Sequence, residues 1–229
     1  GVSKASNILQ SEDVINTLKC LRKLGVKIIL KNDICKIYGQ GINGFNFKKN
    51  ITLNAGNSGT LGRLILPLLI KSPFKIKLTG DKSLSKRDFS RIIEPLKKIG
   101  VSFYPKSRKS LPLSIRGTEY LRPINYFEKR GSAQCKSAVI FAGLKTNGTT
   151  IIKAKKSRNH TELLCKYLKL PIHIKNKKNY DEIIVKKVNK IGPLNYHIPS
   201  DISSSAFFIV LTVLSENSKL LIKNVNINP

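Results

Sequence analysis

Methionine is absent from this 229-residue sequence. Residue 1 is therefore not a start-codon product, and the chain reads as a processed protein or a piece of a longer one. Histidine occurs only three times, and no His/Cys cluster has the spacing of a metal site, so no metal or other cofactor is expected. The four cysteines (Cys20, Cys35, Cys135 and Cys165) include no CxxC pair. They read as reduced, packed thiols of an intracellular protein rather than disulfides or ligands. No apolar run approaches the roughly 20 residues that span a bilayer, and no secretory leader is expected from the opening residues. A cytoplasmic protein without a membrane partner is expected.

Acidic residues are also scarce, 13 against 42 Lys+Arg, for a net charge of +29. Alone, that excess points to a polyanion. Most of it, however, is lysine scattered among isoleucine and asparagine, as a compositional bias on solvated faces would give. There is no aromatic-rich basic strand, helix-turn-helix pattern or zinc-finger spacing. Nucleic acid is therefore not the expected partner, although a basic field draws in small anions. The hydrophobic fraction of 41% suffices for a sizeable core, in one large domain or two small ones.

What is present is repetition. The stretch from Asp13 to Ile28 is echoed 75 residues later from Asp88 to Phe103, and more weakly 73 further on from Thr161 to Ile174. The first pattern predicts a helix capped by Ser11, with Val14, Ile15, Leu18, Leu21 and Leu24 on one face and Gly25 ending it. Strands are expected near 26–30 and 35–38, then a second helix over 61–70 that is apolar nearly all round and hence buried. The second unit repeats the order, with a strand near 74–78, a helix over 88–99 closed by Gly100, and a buried helix from Ser132. The third predicts a helix from Thr161, a strand at 183–185 and a buried helix over 203–214. Residues 220–222 and Val225 read as a strand cut short at Pro229. Three such units need one another to cover their apolar faces. The expected fold class is α/β, three repeated units around buried parallel helices.

The starts of the buried helices are where chemistry is expected. First-turn N–H groups lack intrahelical partners, and the helix dipole favours negative charge there. Asn57-Ser58-Gly59-Thr60 reads equally as a cap with a tight turn or as an anion cradle, and Arg63 one turn on tilts it toward the anion. Gly80–Arg87 packs three cations and two hydroxyls into one pre-helix loop. It is either solvated or a fork for a carboxylate or phosphate through Arg87. Ser132-Ala133-Gln134 opens the middle buried helix with a hydroxyl and an amide. Ser157 and Arg158 can grip a phosphate, with Thr161 and Glu162 favouring the first turn and His160 structural rather than a base. Asp201 reads as a cap or as a switch between domains.

Five words in order, Asn54–Thr60, Gly80–Arg87, Ser132–Ala138, Ser157–Glu162 and Pro199–Ser204, together resemble the 5-enolpyruvylshikimate-3-phosphate synthase family. Each is weak alone, but the set covers essentially the whole chain. The resemblance implies transfer of the carboxyvinyl group of phosphoenolpyruvate to the 5-hydroxyl of shikimate 3-phosphate, a step of aromatic amino acid synthesis. It places Asn57, Gly59 and Arg87 on phosphoenolpyruvate, with Gly59 where glyphosate sensitivity is discussed. It places Ser132, Ala133 and Gln134 on shikimate 3-phosphate, with Gln134 also touching the enolpyruvyl end. Ser157 and Arg158 would hold the phosphate or ring of that substrate.

The chain departs from the family pattern in four respects. The opening Lys-Ser motif with its following Arg is missing, and Ser3-Lys4 is not that motif. The second domain's acidic and basic groups, which include the expected proton donor and acceptor, are also missing. Asp88 stands where Pro commonly follows the Arg, and Ser200 where Gly commonly precedes the Asp. The resemblance therefore implies a three-repeat domain over 1–198, the start of a second domain over 199–229, and a fragment that is inactive alone. The complete enzyme would be a monomer. Two alternatives are a UDP-N-acetylglucosamine enolpyruvyl transferase, although Cys135 sits in a helix pattern unlike that enzyme's reactive-loop cysteine, and an RNA-processing or RNA-binding protein of similar repeats.

Overall fold

The computed structural model describes residues 1–42, 44–47 and 50–226. Its elements run β1 (Val2–Ser6), α1 (Glu12–Lys23), β2 (Lys27–Lys31), β3 (Ile34–Tyr38), β4 (Thr52–Asn54), α2 (Gly59–Leu68), β5 (Ile76–Thr79), α3 (Lys82–Ser85) and α4 (Ser90–Ile99). They continue with β6 (Ser102–Tyr104), β7 (Leu113–Arg116), β8 (Asn125–Glu128), α5 (Ala133–Gly143), β9 (Thr149–Lys155), α6 (His160–Tyr167), β10 (Ile172–Asn176) and β11 (Tyr180–Lys186). Last come β12 (Asn195–His197), β13 (Ser200–Asp201), α7 (Ile202–Leu214) and β14 (Val225–Asn226).

Strands β1 to β12 form three four-stranded sheets of one topology, β12-β1-β3-β2, β4-β5-β7-β6 and β8-β9-β11-β10, and β13 pairs with β14 separately. In each, the first pair is parallel and the next two are antiparallel. The repeat seen in the sequence is thus a repeat of sheet topology. Closure is circular, because the parallel partner of β1 arrives from the far end, with Lys4 opposite Asn195. Period-two burial sets the register, as in β9, where Thr150, Ile152 and Ala154 face inward and Thr149, Lys153 and Lys155 outward. Ile152 meets Ile183 of β11 directly.

The amphipathic helices line the sheets with one face each. In α4, Ile92, Ile93, Leu96 and Ile99 are buried, and Gly100 ends the helix at φ 118°, a conformation glycine adopts without a Cβ penalty. Ser11 stands at the N-cap of α1 as expected, but its hydroxyl makes no capping bond. Among these layers run α2 and α5. Leu61, Ile65 and Leu66 of α2 join Cys135, Ala138 and Ala142 of α5 in one core cluster, while Val139 and Ile140 of α5 face the third sheet. Beyond the end of α5, buried Lys145 donates from Nζ to the Leu68 carbonyl at 2.6 Å, placing a cation at the C-terminus of α2. Burial and neighbouring Lys71 pull its pKa down to about 8. All four cysteines are free and buried, and burial raises each thiol pKa.

Two expectations fail at the C-terminal end. The helix expected to be buried over 203–214 forms as α7, yet none of its residues is buried and Phe207 is 83% exposed. Its apolarity all round signals burial, but burial requires a facing surface, and no described element supplies one. Residues 220–222 are not a strand; only Val225–Asn226 pairs, with Ser200–Asp201, and Pro229 lies outside the described residues. No described helix is long and apolar enough to cross a membrane.

Candidate functional site

The N-termini of α2 and α5 open on two adjoining hollows. The first, of about 450 Å³, is lined by Asn57, Gly59, Thr60, Arg63, Ser83, Arg87 and Gln134, and also by the carboxylates Asp13 and Asp81. The second, of about 640 Å³, is lined by Ser132, Ala133, Gln134, Ser137, Ser157, Arg158, His160 and Thr161, with Thr60, Leu64 and Gly131. Thr60 and Gln134 belong to both. All eight site residues expected from the sequence therefore line these two hollows, which share Thr60 and Gln134, although they come from segments up to a hundred residues apart.

Local structure accounts for the placement. Ser58 caps α2 by accepting from the Leu61 N–H, and Ser132 caps α5 by accepting from Cys135 N–H. The caps hold these residues at the helix mouths and leave Gly59 and Ala133 in the first turn. The Ser132 N–H in turn donates to Glu128 Oε2 at 2.9 Å, and Arg130 N–H donates to Oε1 of the same buried carboxylate. The segment around Lys82 is not the loop expected from its charges. Asp81 accepts from Leu84 N–H and winds it into the short helix α3. That turn sends Arg87 and Ser83 into the first hollow, while Lys82 and Lys86 line neither hollow.

Gln134 ties the two mouths together. Its Oε1 accepts from Arg63 Nη1 at 2.8 Å, and its Nε2 donates to Thr60 Oγ1 at 2.9 Å. Arg63 and Arg87 converge over Gly59, since a methyl placed there would lie 2.9 Å from Arg87 Nη1 and 3.0 Å from Arg63 Nη1. Burial, then the positive charges of Arg91 and Arg87, lower the Arg63 pKa. Two guanidiniums and a helix N-terminus on one glycine make a receptor for an anion. Asn57 donates weakly from Nδ2 to Glu12 Oε2 at 3.4 Å, so α1 braces the first hollow.

In the second hollow, Ser137 and Thr161 share a hydroxyl hydrogen bond of 2.7 Å, and the Ser157 hydroxyl is buried without a protein partner among the described residues. Glu162 does more than favour a first turn. It forms a 2.7 Å ion pair with Lys136, the two 3% and 0% exposed. His160 bonds Asn226 through Nε2, in keeping with a structural part. Asp201 caps α7 by accepting from Ser203 and Ser204 N–H, and those bonds lower its pKa. Sequence reasoning missed Asp13, Glu128 and Lys136. Glu128 lies outside every recognisable word, whereas a lysine inside an apolar helix start is a signal for Lys136. No group of three or more His, Cys, Asp or Glu able to hold a metal ion occurs among the described residues.

The family model of EPSP synthase (3-phosphoshikimate 1-carboxyvinyltransferase) matches residues 1–229. The 3-phosphoshikimate 1-carboxyvinyltransferase of Streptococcus mutans serotype c is 40% identical over 230 residues, covering 100% of this chain and 53% of that protein. The protein of the same name from Caldicellulosiruptor saccharolyticus is 40% identical over 231 residues with the same coverage. An EPSP synthase structure from Acinetobacter baumannii superposes with TM-score 0.86 at 34% identity, over 100% of this chain and 51% of that one. The chain spans about half the length of the curated relatives it matches.

Proposed function

The chain belongs to the EPSP synthase family, and we propose that it is the half of a 3-phosphoshikimate 1-carboxyvinyltransferase that carries the walls of both substrate sites. The whole enzyme would move the carboxyvinyl group of phosphoenolpyruvate onto the 5-hydroxyl of shikimate 3-phosphate and release phosphate. The observation that carries this reading is the pair of adjoining hollows that all eight residues line and that Gln134 bridges. On this reading the first hollow takes phosphoenolpyruvate through Asn57, Gly59 and Arg87, with Arg63 beside them. The second takes shikimate 3-phosphate through Ser132, Ala133, Gln134, Ser157 and Arg158. Gln134 then touches both substrates where the new bond forms. Fixed donors aimed at phosphate and carboxylate oxygens suit a reaction in which the carbon–oxygen bond to the phosphate breaks and its electron pair leaves on the departing phosphate.

Residues 1–198 form the three-repeat domain and 199–229 the beginning of a second domain, which is consistent with the uncovered apolar surface of α7. The general acid and base are assigned to that second domain, and no group of this chain is given either part. The whole protein is read as a cytoplasmic monomer without cofactor, nucleic acid or membrane partner. The 229-residue chain should bind shikimate 3-phosphate in a calorimetric titration and release almost no phosphate when phosphoenolpyruvate is added. Robust turnover by the isolated chain contradicts the division of labour, and absence of any shikimate 3-phosphate binding contradicts the site.

The two sites should respond separately to Gly59→Ala. The added methyl meets the mobile ends of two arginines rather than backbone, so the guanidiniums move and the fold stays. Phosphoenolpyruvate affinity should fall about tenfold, the equivalent of about 1.4 kcal/mol, while shikimate 3-phosphate affinity stays within about twofold. Equal losses for both ligands in paired titrations would refute the assignment of the hollows.

A further inference from the structure

Behind the wall of the second hollow, α5 and α6 are stitched by two consecutive side-chain pairs. Ser137 meets Thr161 at 2.7 Å, and one residue earlier on α5 and one later on α6, Lys136 meets Glu162 at 2.7 Å. The first pair lines the hollow; the second does not reach it and is almost wholly buried. Lys136 Nζ also lies 3.4 Å from the Ser157 carbonyl oxygen, to which it donates. One ammonium thus grips both the first turn of α6 and the segment leading into it. That segment carries Ser157, whose hydroxyl is left without a protein partner, and Arg158, which is exposed.

Burying an ion pair is a poor way to gain stability, because desolvation consumes most of the attraction and two apolar side chains serve as well. Here the pair carries a further cost, since Glu162 Oε2 is buried with no hydrogen-bond partner among the described residues. What a charged pair supplies and an apolar one does not is direction. It fixes where the 157–158 backbone sits relative to α5, whose N-terminus bears Ser132 and Gln134.

We infer that the Lys136–Glu162 pair is the positioning element that sets the Ser157-Arg158 arm against the α5 mouth, and so the affinity of the second hollow for its phosphorylated ligand. The inference rests on reading that hollow as the shikimate 3-phosphate site. Neither residue touches the ligand; both act through the arm.

The test uses the 229-residue chain and its Lys136→Met/Glu162→Met double variant, in which two flexible apolar side chains of similar length fill the same space. The melting temperature should stay near that of the parent. Shikimate 3-phosphate should bind about tenfold more weakly, because the arm is no longer registered, while phosphoenolpyruvate affinity stays within about twofold. Hydrogen–deuterium exchange of the peptide over 155–161 should quicken. A folded double variant that binds shikimate 3-phosphate like the parent overturns the inference. If the double variant does not fold, Glu162→Gln keeps an acceptor for Lys136 without the charge, and it should show a smaller loss, about threefold, for shikimate 3-phosphate only. Equal weakening of both ligands by Glu162→Gln would mark the pair as merely structural. Should the parent bind no shikimate 3-phosphate, the substrate reading fails, and unchanged exchange over 155–161 would then reject the positioning role independently.

Discussion

Replacing Phe89 with alanine is expected to destabilise the chain by about 3–5 kcal/mol, the range for removing a large aromatic side chain from a packed core. Phe89 is 0% exposed and sits in the cluster that joins α2, α4 and α5. Its ring is held from two directions. The α2 backbone passes so close that a methyl on Gly62 would lie 3.2 Å from Phe89 Cζ, and the Arg63 guanidinium lies over the ring at 5.3 Å from its centroid. The cavity would open directly under the first hollow. Urea unfolding should show the loss in full, because the Phe89 N–H to Lys109 carbonyl bond of 2.7 Å anchors the backbone and hinders collapse. Phosphoenolpyruvate affinity of the folded fraction should also fall several-fold, since Arg63 loses the aromatic face that orients it. Phe89→Leu separates the two effects, keeping most of the volume at a cost under about 1.5 kcal/mol while still removing the ring from beneath Arg63. A cost below about 1 kcal/mol for the alanine variant would show that the core repacks over the gap.

The contrast between α4 and α7 shows how far the sequence reaches. In α4 the spacing of Ile92, Ile93, Leu96 and Ile99 marks one apolar face, and the glycine after it marks the end; both features are local and both appear in the fold. In α7 the apolar residues point every way, which says the helix should be covered but not by what. Sheet topology was legible only as a repeat, because the parallel pairing of β1 with β12 joins segments at opposite ends of the three-repeat order, Lys4 with Asn195, and leaves no local trace. The helix mouths were legible because Asn57, Gly59, Ser132 and Gln134 lie in short words of small polar residues before apolar runs. Their convergence was not, since it depends on contacts such as Gln134 with Arg63, 71 residues apart. Glu128, which holds the Ser132 N–H, was illegible for another reason. A carboxylate that accepts backbone bonds two and four residues away looks like any strand-end acid.

The largest single-residue effect outside the aromatic core is expected at Lys136. Lys136→Met removes the only ammonium in an ion pair with Glu162 among the described residues and leaves a carboxylate that is 3% exposed, with Oε2 already lacking a hydrogen-bond partner. Breaking such a pair from one side costs about 3–5 kcal/mol, because the remaining charge keeps its desolvation penalty without its partner. The Glu162 charge is felt locally, for Cys165 one turn along α6 has its thiol pKa pushed up to about 11 by burial and then by that carboxylate. Glu162→Met should be comparably damaging by the same argument in reverse, as Lys136 is 0% exposed and its one other acceptor among the described residues is the Ser157 carbonyl. The two losses should not add. The double methionine variant removes both charges and should lie within about 1–2 kcal/mol of the parent, giving a coupling of several kcal/mol in a double-mutant cycle read by chemical denaturation. A double variant as unstable as the sum of the singles would mean that the side chains matter for their shape rather than their charge. The α5–α6 junction would then be ordinary packing, and the arm carrying Ser157 and Arg158 would need another source of register.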